Sequence, residues 1–168
     1  LNSAATINIK LGLYYLQQKN LPQAKAKLLL ALVQAPQNFL VYDAMGYFLE
    51  TIGEIVAAEK YYSYAVVIAV KQQVGSKKGA AMLARGESDN NFGVNSFGIN
   101  SIGAAYNNYG TFLYRQGRCR EALSQFSLAI NEYDYLNSVP VRANARFATL
   151  CLNNREDVRR EKYSRKNT

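Results

Sequence analysis

Histidine does not occur in this 168-residue chain, and cysteine occurs only twice, as Cys119 and Cys151. The missing imidazole excludes Ser-His-Asp and Cys-His nucleophilic sites, histidine metal ligation and histidine acid–base catalysis together. Two cysteines are too few for a structural zinc site or a disulfide scaffold. Long apolar runs are missing too, since nothing approaches the roughly 18 uninterrupted apolar residues that a bilayer span requires. Charged residues make up 19% of the chain and apolar residues 49%, a balance that suits one folded domain with a real core. Asp43 and Glu50 are seven residues apart and can share a helix face, but no nucleophile, phosphate loop or metal-ligand set accompanies them. The sequence therefore predicts a protein that is not an enzyme, with no cofactor and no metal site.

What charge there is leans one way. Twenty Lys and Arg against twelve Asp and Glu give a net +8. Residues 1–72 contribute +2 and residues 73–168 contribute +6, and Arg142 to Lys166 alone carries +5. Such a tail suits nucleic acid, anionic headgroups or an acidic partner. No aromatic stacking platform is interleaved with it, and Glu156, Asp157 and Glu161 pair with its cations at helical spacing, so a solvated helix that binds no nucleic acid is the expected reading. The chain opens on Leu1 without a signal peptide, so any targeting segment or lipid anchor is expected upstream of it.

Self-comparison organises the rest. Leu11-Gly12 aligns with Met45-Gly46 at an offset of 34, and the same offset pairs Tyr15 with Leu49, Ala24 with Ala58, Leu28 with Tyr62 and Ala31 with Ala65. A third copy, 64 residues on, supplies Tyr109-Gly110, Leu113, Ala122, Phe126 and Ala129. The large residues fall on the buried faces of two antiparallel helices, and the glycines and alanines let those helices approach closely. Asn20, Gly53 and Gly117 supply turn or cap chemistry, Pro22 fits a first helical turn, and Pro36 ends the first copy. Three helix pairs are predicted at about 5–38, 39–72 and 103–136. A degenerate fourth pair is predicted at about 139–166, with Phe147-Ala148 at the bulky-small position and a polar capping helix from 155. Between the second and third copies lies an insertion, 73–102. Its first part, Lys77 to Arg85, can prolong the preceding helix. The rest carries the echo Phe92-Gly-Val-Asn-Ser, Phe97-Gly-Ile-Asn-Ser, which predicts turns with apolar anchors and makes Phe92 and Phe97 possible contacts of a covering loop.

The copies resemble the tetratricopeptide repeat, a helix-turn-helix unit of 34 residues. The resemblance implies an all-α solenoid of antiparallel helix pairs that binds segments of other proteins along a concave surface lined by each unit's first helix. Counted from the offsets, the groove residues are Ile9, Leu13 and Leu16, then Asp43, Tyr47 and Glu50, then Asn107, Thr111, Tyr114 and Arg115. The predicted groove is apolar at one end, acidic in the middle and polar to basic beyond. Ile9, Leu13, Ala44, Ala104 and Asn108 stand where a clamp for chaperone C-termini would need its cations and asparagines, so that use is not expected. Antiparallel packing brings Cys119, opening one helix, toward Cys151, late in the next. A disulfide is one reading and two small buried thiols the other.

The wording of Ile9 to Gln18, of Asn20 to Lys25 and of Asn107 to Arg118 is similar to repeats of the PilF/PilW pilotin proteins of type IV pilus biogenesis. That resemblance implies a lipoprotein adaptor on the periplasmic face of the outer membrane, assisting secretin assembly or pilus stability, with a secretin or another pilus protein as partner. A cytosolic scaffold or regulator with an unrelated peptide partner is the alternative.

Overall fold

A computed structural model describes the backbone of residues 3–84, 101–132 and 138–164, and the side chains of 4–72, 102–132 and 140–154. The described chain is all helical: α1 (Ser3–Gln17), α2 (Leu21–Gln34), α3 (Phe39–Thr51), α4 (Ile55–Ala84), α5 (Ser101–Arg115), α6 (Cys119–Glu132) and α7 (Ser138–Ser164). Helices α1 and α2, α3 and α4, and α5 and α6 pack as antiparallel hairpins, and α7 lies on α6.

Local chemistry sets the hairpin turns. Each first helix ends on a residue with positive φ: Lys19 at 58°, Gly53 at 85° and Gly117 at 72°. Each turn closes the same way, with Asn20 N–H donating to Tyr15 C=O, Glu54 to Leu49 and Arg118 to Leu113, all at 2.9 Å. Glycine adopts that left-handed conformation without steric cost, whereas Lys19 bears the Cβ penalty. Asn20 takes the neighbouring role and caps α2, its Oδ1 accepting from the Gln23 N–H at 3.3 Å. Asn38 caps α3 in the same manner through the Leu40 N–H, at 3.1 Å.

Small residues set how close the paired helices lie. A Cβ on Gly12 would fall 2.7 Å from Leu28 Cγ, one on Gly110 2.7 Å from Phe126 Cε1, and one on Gly46 3.1 Å from the Tyr62 ring. Ala24, Ala31, Ala58, Ala65, Ala122 and Ala129 are fully buried opposite them. Gly110→Ala gains about 1 kcal/mol of helix propensity, but it drives a methyl into a ring that is itself buried, an overpacking cost of about 1–3 kcal/mol. A net loss of about 1 kcal/mol is expected in urea denaturation, with Gly46→Ala close to neutral because its contact is looser, 3.1 Å against 2.7 Å.

The hairpins stack through one aromatic each. Phe48 sits in a cluster with Leu16, Ala24 and Leu28 of the first hairpin. Its counterpart Phe112 packs on Tyr62 of the second hairpin, ring centroids 4.9 Å apart. Phe39, Ala65, Ala69, Ile102 and Ala105 fill the remainder of the joint between α4 and α5. Helices α1, α3, α5 and α7 run side by side, while among the described residues α2, α4 and α6 make no close backbone approach to one another. A stack that is tight along the first helices and open along the second ones curves with the first helices inside.

Two expectations are corrected here. In place of a fourth helix pair there is one continuous helix, α7, because residues 141–164 contain neither glycine nor proline to stop it. The fourth unit's register also differs by two. Val141 and Ala148 are the buried pair on α7, seven apart as are Val41 and Phe48 on α3 and Ala105 and Phe112 on α5. Ala148 therefore matches Phe112, and Arg146, not Ala148, stands at the glycine position. The extension of the second hairpin reaches Ala84. Phe92 and Phe97 lie outside the described residues.

Candidate functional site

The concave row of first helices carries the predicted groove residues, and the structure divides them sharply. Ile9 and Leu13 are half-buried and Leu16 is buried, all packed on Ala44, Met45 and Phe48 of α3. The apolar end of the predicted groove is thus mainly the joint between α1 and α3. This corrects the reading of Leu16 as a docking residue, since side chains at these spacings face the neighbouring first helix as well as the groove.

The acidic and basic stretches are corrected in the same way. Asp43 is buried, and its Oδ2 accepts from Asn108 Nδ2–H at 2.7 Å across to α5. Burial pushes its carboxyl up to about 7, the Asn108 hydrogen bond acting in the opposite direction. Glu50 accepts from Arg115 Nε–H at 2.7 Å and Nη2–H at 2.6 Å, and from the Tyr62 hydroxyl at 3.1 Å. Burial and the Glu50 charge hold that phenol in its neutral form. A bidentate guanidinium–carboxylate pair ties α3 to α5, so the two charges cancel where the sequence suggested separate acidic and basic zones. Asn107 accepts from Asn144 Nδ2–H at 2.9 Å, linking α5 to α7, and its carbonyl accepts from the Thr111 hydroxyl at 2.8 Å. Among the predicted residues, Tyr47 (48% exposed) and Tyr114 (37%) remain as free aromatic surface.

Helix α7 adds two residues that sequence reasoning missed. In its corrected register, Phe147 matches Tyr47 and Thr111, and Leu150 matches Glu50 and Tyr114. Both are more than half exposed, at 55% and 57%. The signal was the spacing of Val141 and Ala148, which fixes the face of α7 that turns inward. By register, Tyr47, Tyr114, Phe147 and Leu150 are exposed apolar residues on the same side of α3, α5 and α7. Cys119 and Cys151 form a disulfide, Cα atoms 6.0 Å apart, that fastens α7 to the start of α6. No group of His, Cys, Asp or Glu able to hold a metal ion occurs among the described residues, and no helix there is long and apolar enough to cross a membrane.

A chain from a functional characterisation of Pseudomonas aeruginosa pilF superposes with a TM-score of 0.63 and 26% identity, over 90% of this chain and 55% of that one. The fold is a tetratricopeptide-type solenoid. An uncharacterised protein of Haemophilus influenzae is 29% identical over 142 residues, which is 84% of this chain and 63% of that protein. The chain spans less than two thirds of the length of either. No family model matches it. A solenoid of this type suggests a protein partner.

Proposed function

We propose that this chain is a non-enzymatic adaptor that holds a segment of a type IV pilus component, a secretin strand or helix foremost, on the ridge formed by Tyr47, Tyr114, Phe147 and Leu150. The observation that carries the proposal is this row of exposed aromatic and aliphatic side chains on the concave face of a fold that resembles pilF. Glu50 and Arg115 spend their charges on each other and Asp43 is buried against the Asn108 amide, so the occupant is recognised by apolar side chains rather than by a charged terminus. The place of action we propose is the periplasmic side of the outer membrane, an oxidising setting in which a Cys119–Cys151 bond persists.

Purified secretin from the same cells, offered to the chain on a sensor surface, tests this reading. Tyr47→Ala combined with Phe147→Asp is expected to weaken capture at least tenfold, the scale of losing two aromatic anchors. Both side chains are about half exposed, so helicity is expected to stay unchanged. Equal capture by the variant removes the ridge from the site, and no capture of secretin or any other pilus protein by the unmodified chain removes the pilus partner.

A further inference from the structure

Two neighbouring joints of the solenoid are bridged by the same kind of rung. Asn108 on α5 donates to Asp43 on α3, and Asn144 on α7 donates to Asn107 on α5. The donors occupy one register position and the acceptors another, so an asparagine performs at one joint the task that an aspartate performs at the other. The carboxylate brings a charge that the hydrogen bond does not need. Its second oxygen, Oδ1, is buried with no hydrogen-bond partner among the described residues. The surroundings offer it no relief. Helices α1 and α2 meet α3 through Ile9, Leu13, Leu16, Ala24 and Leu28. Helix α4 brings Tyr62, itself bonded to Glu50, and α5 brings Asn108, with its Arg115 engaged by that same Glu50. On α3 itself the ionisable neighbours are Tyr42, whose hydroxyl donates to the Pro36 carbonyl, Tyr47, exposed, and Glu50, paired as described.

We infer that the joint between the second and third hairpins is proton-linked: Asp43 is protonated while α3 and α5 are closed on each other, and its ionisation as the pH rises loosens them. Burial supports this by placing the folded carboxyl at about 7, against 3.8 for the ordinary side chain. Between those values the folded chain binds more protons than the unfolded one. Stability therefore falls as pH rises across that window and is level outside it. The inference is independent of what the ridge binds. For whatever does bind there, a loosened joint alters the spacing of Tyr47 from Tyr114.

The test uses the whole chain with its disulfide intact. Its urea midpoint is expected to drop by about 1 M between pH 5 and pH 8. Asp43→Asn keeps the rung in the form seen at Asn107, so its midpoint is expected to stay nearly level and to exceed that of the unmodified chain at pH 8. Asn107→Asp is expected to add a second pH-dependent drop. A carbon-detected NMR titration of the Asp43 carboxyl reads the same linkage without any variant, with a midpoint above 6 expected. A carboxyl that titrates near 4, a level midpoint in the unmodified chain, or an unchanged slope in Asp43→Asn overturns the inference.

Discussion

Phe112→Ala is expected to lower stability by about 3–5 kcal/mol, the range for emptying a fully buried aromatic site. The ring has no exposed surface, meets Tyr62 at 4.9 Å and Tyr109 at 6.3 Å between centroids, and belongs to the core cluster that joins α4 to α5. The loss falls on a joint between hairpins, not within one. In a solenoid each unit is held by its neighbours, so cutting one interface also splits the cooperative transition. Urea unfolding followed by circular dichroism is expected to change from one transition to two. A single transition with an unshifted midpoint would show that Phe112 is not the coupling element. Phe147→Ala is the matched control, expected within about 0.5 kcal/mol of the unmodified chain because that ring is mostly exposed.

Reducing the disulfide, or replacing Cys119 and Cys151 with serine, is expected to lower stability by about 4 kcal/mol, from the entropy of closing a loop across 32 residues. Where Phe48 and Phe112 plug the two earlier joints, α7 offers only Ala148. Among the described side chains, Val141, Ala145, Ala148 and the Asn144–Asn107 rung also hold α7. Limited proteolysis under reducing conditions is expected to cut within α7 before any other described helix. A free-thiol count on the unfolded, unreduced chain checks the starting point, and two titratable thiols there would sink this prediction.

Much of the fold was legible because close helix contacts leave a one-dimensional trace. Gly12, Gly46 and Gly110, with their facing alanines, recur at fixed offsets since nothing larger fits between the axes. The fourth unit was misread because Phe147-Ala148 imitates the bulky-small pair. Only burial at Val141 and Ala148 shows that the helix is turned by two residues. The site was harder to read. Periodicity marks which side of a helix faces inward, yet the groove and the next first helix divide that side between them, so Leu16 and Tyr47 both fall on it and differ in exposure. Asp43 with Asn108, and Glu50 with Arg115, meet across 65 residues that include the insertion. Such partners leave no local signature, and charges that cancel in space remain separate charges on the page.

Arg146 bears on how an array of this kind lengthens. In each complete hairpin the second helix rests against a glycine of the first, and that intimacy is what makes one unit a template for the next. A guanidinium-bearing stem at the same place holds any following helix several ångströms away. Duplicating the last segment would therefore not reproduce the close seat that each glycine gives its partner helix, because Arg146 would stand in its place.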